Sequence, residues 1–384
     1  MLRLLPRKAP IVYKGQGSAV ELSKQLHLLG FSRVLIVTDN FLSSSGLLED
    51  IQSTMESLEV GYEVFDEILP NPTFSAILSG ENAFRSGRCE AIFAVGGGSV
   101  LDAAKMIALL HNNQGPLKNF EGVQRSRNAA APLFAVPTTA GTGAEITPVA
   151  VVSDTETQRK VLVTDSKMIP DYISLDPVLM LGLPPAITAA TGMDALTHAV
   201  EAYISRGATP TTDREAKTAV RLIYSNLLVA YRNGSDMKAR DAMVTASFYA
   251  GTAFGVAGVG YVHAIAHQLG AGFGTPHGNA NAMVLPEVLG AYGESVYTKL
   301  AELARMLAMG DEQATDGELA RCFIESIVEM RTAMDMPTHV PELESVHVEG
   351  VARAAQKEAG SMYAVPGYLT IKDVYSLVQK LLPT

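Results

Sequence analysis

A change of rhythm near residue 180 constrains this chain more than any single motif. Ahead of it, short β-branched or apolar runs alternate with segments of helical spacing. "RVLIVTD" (33–39) reads as a buried strand, "LEDIQSTMESL" (48–58) as a helix and "YEVFDEI" (62–68) as a second strand. A helix over 75–86 leads to the strand "AIFAV" (91–95), and the helix of "GGGSVLDAAKMIALL" precedes strands at "LFAVPTT" (133–139) and "VAVVSD" (149–154). Strands alternating with helices of this length predict a doubly wound, mainly parallel α/β sheet. "LDPVLMLGLPPAIT" is then punctuated by Pro and Gly, which marks a boundary. Beyond it, apolar residues recur at helical spacing over 191–204, 211–230, 239–253, 297–308, 317–333, 348–359 and 371–382. At 384 residues the chain exceeds the roughly 250–300 at which one core stops growing. The expectation is an α/β domain over 1–182 and an all-α domain over 183–384.

Composition narrows the partners. With 47% hydrophobic and 18% charged residues the chain can bury large cores, which excludes extended disorder. A net charge of −10, with no Lys/Arg run beyond "RLLPRK", argues against a nucleic-acid partner, because neutralising phosphates needs a basic face. Cys89 and Cys322 are too few for a disulfide framework or a Cys-rich zinc site and fit a reducing cytoplasm. "MLRLLPRKAP" has no apolar segment after its charges, so it is not read as a signal peptide. The most apolar stretch, "GTAFGVAGVGYV" (251–262), falls short of the about 20 residues a membrane helix needs, so no membrane partner is expected.

"AVGGGSVLDAAK" (94–105) is a strand, a three-glycine turn and a helix start. Glycines admit close approach of a ligand, and a helix N-terminus offers free amides with positive dipole charge. The three-glycine turn is therefore a candidate phosphate site, and Ser99 and Asp102 are spaced as a helix cap. The spacing is neither the dinucleotide G-x-G-x-x-G nor the Walker pattern, and an ordinary tight turn is the simpler alternative. "PTTAGTGAE" (137–145) also follows a strand; it brings the hydroxyls of Thr138, Thr139 and Thr142, and Thr142 with Glu145 has cap spacing. Two such loops at strand C-termini match the crevice rule for open α/β sheets. Asp39 ends its strand where an acid could bind ribose hydroxyls, although it precedes the glycine turn instead of following it.

The second half carries a different cluster. In "TGMDALTHAVEAY" (191–203), Asp194 and His198 are four apart on a mostly apolar helix and so share a face. Thr191 and Asp194 also have capping-box spacing, the simpler alternative. "GYVHAIAHQLGAGFGTPHGNANA" (260–282) places His263 and His267 on one helical face, followed by a Gly-rich return to His277. One carboxylate and four imidazoles among small apolar residues point to a divalent metal site, for which Fe(II) and Zn(II) are equally suited.

These motifs together resemble the group III, iron-dependent alcohol dehydrogenases. "PNPT" (70–73), which contains Asn71, "GGGSVLDAAK", "PTTAGTGAE", "GMDALTHAVEAY" and "HAIAHQLGAGFGTPHGNANA" occur in order from about residue 9 to the last helix. The resemblance implies a dehydroquinate synthase-like architecture with a Rossmann-like dinucleotide domain and a homodimer or larger homo-oligomer. It places the metal ligands on Asp194, His198, His263 and His277, and on His267 a second histidine close to nicotinamide and substrate. It places pyrophosphate at Gly97, Gly98 and Ser99, the rest of NAD among Asn71, Asp102, Thr138, Thr139, Thr142 and Lys160, and at Asp39 the acid that favours NAD over NADP. Ala144, Asn279 and "AVPGYLT" (364–370) depart from the family's usual Ser, aliphatic residue and Asn-Pro-Arg stretch.

The implied reaction is hydride transfer between NAD(H) and a small primary alcohol or aldehyde, the metal acting as Lewis acid. Val149, Val151 and Phe254 are the expected apolar pocket residues. A metal-dependent, NAD-using lyase of the dehydroquinate synthase type is the alternative, although its polyanionic substrate calls for more Lys, Arg and Glu. A catalytically silent NAD-binding protein would be free to lose charged groups from an apolar interior.

Overall fold

In the computed structural model, which describes residues 9–156, 159–311 and 313–383, the chain divides between Gly182 and Leu183 into two units. The strands of the first are β1 (Ile11–Lys14), β2 (Arg33–Val37), β3 (Gly61–Phe65), β4 (Ala91–Gly96), β5 (Gly122–Val123), β6 (Leu133–Pro137), β7 (Val149–Asp154), β8 (Arg159–Thr164) and β9 (Tyr172–Leu175). Six of them form a parallel sheet in the order β1-β9-β6-β4-β2-β3. Helices α1 (Ser18–Leu28), α2 (Asn40–Ser44), α3 (Glu49–Ser57), α4 (Phe74–Ser86) and α5 (Gly98–Asn112) complete the crossovers.

The near-continuous apolar runs are explained by burial on both sheet faces. Along β2, Val34 and Ile36 join one core with Leu22, Ile51 and Phe93, whereas Leu35 and Val37 join another with Ile77, Phe84 and Ile107. Each side of the pleat thus has its own core.

"VAVVSD" forms β7 over the expected residues but lies outside the parallel sheet. It pairs antiparallel with β8, in a second sheet of order β5-β8-β7. β8 begins with Arg159 and Lys160, charges that hide its strand character from an apolar scan. β1 and β9 have four residues each, too short for a pattern to register.

The second unit contains α6 (Pro185–Ile204), α7 (Pro210–Arg232), α8 (Met237–Ala257), α9 (Tyr261–Phe273), α10 (His277–Tyr292), α11 (Glu294–Met306), α12 (Asp316–Ala333), α13 (Ser345–Met362) and α14 (Ile371–Gln379), with no strand among the described residues. α6 starts six residues before Thr191, whose Oγ1 donates to Ile187 O at 2.8 Å inside the helix. The Thr191–Asp194 capping box is therefore not formed, and Asp194 is left for another use. The Gly-rich return before His277 is mostly helical: only after Phe273 does the chain turn, with Gly274 at φ 65°. No single helix among the described residues is long and apolar enough to cross a membrane.

Candidate metal centre and dinucleotide loops

Between Gly192 and Ile204 every residue of α6 is buried, so this helix is held on all sides. Its Asp194, His198 and Glu201 recur at helical spacing and share one face. α10 meets α6 at Gly278, where a Cβ would stand 2.0 Å from Ala190 O. That backbone approach sets His277 Nε2 3.5 Å from Asp194 Oδ1. From α9, His263 Nε2 lies 3.8 Å from the same oxygen. Ligand atoms of Asp194, His263 and His277 all fall within 4.8 Å of one another. Asn281 Nδ2 donates to Asp194 Oδ1 at 2.7 Å and lies 3.3 Å from Nε2 of both His263 and His277. His198 flanks this group: its Nδ1 is 3.9 Å from Asp194 Oδ1, and its ring stacks between Phe254, at 4.0 Å, and His263, at 4.5 Å.

The donors fit a divalent ion. Glu201 Oε2 lies 2.6 Å from His263 Nδ1, and Val262 N–H donates to its Oε1 at 2.8 Å. A carboxylate on Nδ1 directs the other nitrogen's lone pair toward a metal, the usual support for a ligating histidine. Burial, reinforced by the neighbouring imidazoles of His198, His277 and His267, holds the His263 pKa well below its ordinary value, which keeps the ring neutral as a ligand must be. Burial also pushes the Glu201 carboxyl up to about 7, against the opposing pull of the Gly260, Val262 and His263 amides. His267 stands apart, its ring 5.4 Å from that of His277 and its Nδ1 2.7 Å from Glu358 Oε1.

In the first unit, α5 begins at the end of β4 with Gly97 as its cap residue and no side-chain cap. The expected Ser99–Asp102 cap is absent because both side chains are engaged elsewhere. Ser99 Oγ accepts from Asn71 N–H at 3.2 Å, and Asp102 Oδ2 accepts from Val151 N–H at 3.0 Å. Asn71 Oδ1 in turn accepts from Lys160 Nζ at 3.0 Å, so Asn71, Ser99 and Lys160 form one cluster. Burial lowers the Lys160 pKa. The loop after β6 packs on the glycine turn: a Cβ on Gly98 would meet Thr142 Cγ2 at 2.7 Å, and one on Gly97 would touch Thr139 at 3.4 Å. Thr138 N–H donates to Gly96 O at 3.0 Å. Thr142 does not cap a helix with Glu145; its Oγ1 accepts from Ala144 N–H at 3.2 Å, closing a local turn. Asp39 caps α2 through Leu42 N–H at 2.9 Å.

Residues 9–177 match the family model "Iron-containing alcohol dehydrogenase", and residues 188–382 match "Fe-containing alcohol dehydrogenase family, C-terminal". This chain belongs to the iron-containing alcohol dehydrogenase family. The dehydrogenase is 37% identical over 375 residues to alcohol dehydrogenase 4 of Saccharomyces cerevisiae, covering 97% of this chain and 96% of that protein. It superimposes on the crystal structure of a 1,3-propanediol oxidoreductase with a TM-score of 0.95, at 34% identity, covering 99% of this chain and 100% of the other. The sulfoacetaldehyde reductase of Bifidobacterium kashiwanohense, solved in complex with NAD+, gives a TM-score of 0.89 at 26% identity, with complete coverage of both chains (100% each). The dehydrogenase is thus an alcohol or aldehyde oxidoreductase of this family, which sets aside the lyase alternative.

Sequence reasoning missed Glu201 and Asn281 at the metal cluster and Glu358 at His267. Glu201 had a signal, since it is a third charged position on the buried face of α6. Asn281 lies four residues after His277, which puts it on the same face of α10. Glu358 is 91 residues from His267 and leaves no local trace. Val149 and Val151 are half-buried on β7, and Phe254 lies on α8 against His198.

Proposed function

We propose that the dehydrogenase interconverts a small primary alcohol and its aldehyde with NAD(H) and a divalent ion, Fe(II) foremost, Zn(II) being the alternative occupant. Asp194, His198, His263 and His277 would hold the ion. The observation that carries this reading is the convergence of buried Asp194 and His263 with the partly exposed His277, Glu201 engaging His263 Nδ1 so that Nε2 faces the cluster. When bound, the ion supplies Lewis acidity to the substrate oxygen, and NAD(H) exchanges a hydride with the substrate carbon.

The chain's own residues bind, orient and move the proton. Gly97, Gly98 and Ser99 at the start of α5 are assigned to the pyrophosphate, where backbone amides meet anionic oxygens. Asn71, Asp102, Thr138, Thr139, Thr142 and Lys160 are assigned to the rest of the cofactor, and Asp39 to the adenosine ribose. Val149, Val151 and Phe254 offer apolar surface, which favours a short uncharged substrate. His267 is assigned the hydroxyl proton. The edge strand β1, where Ile11 is 53% and Val12 40% accessible, supports a homodimer, since a second copy would cover those apolar side chains.

The test is reconstitution. Enzyme stripped with chelator should be inactive, and Fe(II) or Zn(II) should restore NADH formation from short primary alcohols. Full activity in the stripped enzyme would refute the metal assignment.

A further inference from the structure

Glu358 gathers three partners that the metal centre does not use. Its Oε1 lies 2.7 Å from His267 Nδ1 and 2.6 Å from Tyr363 Oη, and its Oε2 accepts from Gln268 Nε2 at 2.9 Å. Gln268 can only donate through that nitrogen, and an ionised carboxylate only accepts. Tyr363 donates as well: burial and the adjacent Glu358 charge push its pKa well above its ordinary value, so the phenol keeps its proton. With both oxygens of Glu358 already accepting, from Gln268 and Tyr363, a proton on His267 Nδ1 completes the pattern and leaves Nε2 as the acceptor. At 26% and 19% side-chain exposure, His267 and Glu358 are covered enough for the bond to resist water, while the ring remains reachable. The His267 ring stacks against that of His277 at 5.4 Å, beside the ligand cluster.

We propose that Glu358, braced by Tyr363 and Gln268, is a positioning carboxylate that holds His267 in the Nδ1–H tautomer with Nε2 ready to take the alcohol proton. This rests on the proton role of His267 given above. In oxidation the C–H hydrogen leaves with its electron pair for NAD+, and the O–H proton passes to His267 Nε2. The products are aldehyde, NADH and an imidazolium, whose Nδ1–H Glu358 stabilises; the Nε2 proton then goes to water. A histidine without such a partner populates both tautomers, so part of the enzyme would present a donor where an acceptor is needed.

The experiment reads the tautomer and the turnover separately. Nitrogen-15 spectra of histidine-labelled protein, metal-free and zinc-loaded, report which ring nitrogen carries the proton; the His267 signals are identified by their loss in His267→Ala. Wild type should show the Nδ1–H form. Tyr363→Phe, which removes one hydroxyl, should shift His267 toward a tautomer mixture and lower kcat about tenfold. That factor is about 1.4 kcal/mol. Zinc stoichiometry and KM for NAD should stay unchanged. Glu358→Ala should go further in both readouts, and Glu358→Asp should recover part of each. An Nε2–H form in wild type, or an unmoved tautomer in both Tyr363→Phe and Glu358→Ala, overturns the proposal. If the tautomer shifts while His267→Ala keeps wild-type turnover, positioning stands and the proton role of His267 fails.

Discussion

Replacing His263 by Ala separates the metal-ligand role from ordinary packing. The ring is 3% accessible, bonded to Glu201 Oε2 at 2.6 Å and set 3.8 Å from Asp194 Oδ1. Its removal has three consequences of different kinds. Loss of a buried ring opens a cavity, about 3 kcal/mol by analogy with large-to-small core changes. The orphaned Glu201 carboxyl adds about 1–3 kcal/mol. Neither depends on metal. The third does: an ion held at a thousand times its Kd stabilises the native state by about 4 kcal/mol, and a site lacking one ligand forfeits most of that. The assay is thermal unfolding with excess Zn(II) and with chelator, beside metal content by elemental analysis. His263→Ala should melt lower than wild type under both conditions, and its metal-dependent rise should nearly vanish. His267→Ala, partly exposed at 26%, should lose little stability and keep the full metal response and stoichiometry. A normal metal response in His263→Ala would refute the ligand assignment, and its loss in His267→Ala instead would mean the two histidines are exchanged in role.

Asp39→Gly should shift the kcat/KM ratio of NAD to NADP by at least tenfold toward NADP, about 1.4 kcal/mol. Glycine replaces a cap residue at a loss of only a few tenths of a kcal/mol, so an unchanged ratio would leave Asp39 as nothing more than the α2 cap. Gly98→Ala, whose Cβ would meet Thr142 Cγ2 at 2.7 Å, should lose stability and NAD affinity. Adding Thr142→Ala should restore the stability alone; an affinity that returns fully with it would show that Gly98 serves packing and not the pyrophosphate. Burial pushes Glu145 up from 4.5 to about 7, so the native state holds its proton more tightly than the unfolded chain. The resulting stability is fully present below pH 4.5 and is lost as pH rises through about 7. Relative to Glu145→Gln, wild type should therefore lose up to about 3 kcal/mol between pH 5 and pH 8 in urea titrations, and parallel pH curves would contradict the burial account.

The sequence by itself determined the change from α/β to helical architecture, because hydrophobic periodicity is a local property that each segment carries alone. It also supplied the chemistry-bearing residues, since a His and an Asp four apart on an apolar helix must share a face wherever that helix packs. Caps were where local reading failed. Thr191, Ser99 and Thr142 all have cap spacing, but the first sits inside α6 and the others bond Asn71 and Ala144. A cap exists only where the helix begins, and packing, not the motif, sets that point. Strand membership failed similarly: β7 reads like its parallel neighbours, yet only pairing with the charged-headed β8 shows that it belongs to another sheet. Tertiary structure alone decided which nitrogen of each histidine is engaged. Glu201 on α6 meets His263 on α9, and Glu358 on α13 meets His267 on α9, across 62 and 91 residues. Such partners are set by how helices pack, and side chains brought together from distant segments leave no periodic signal in the chain that encodes them.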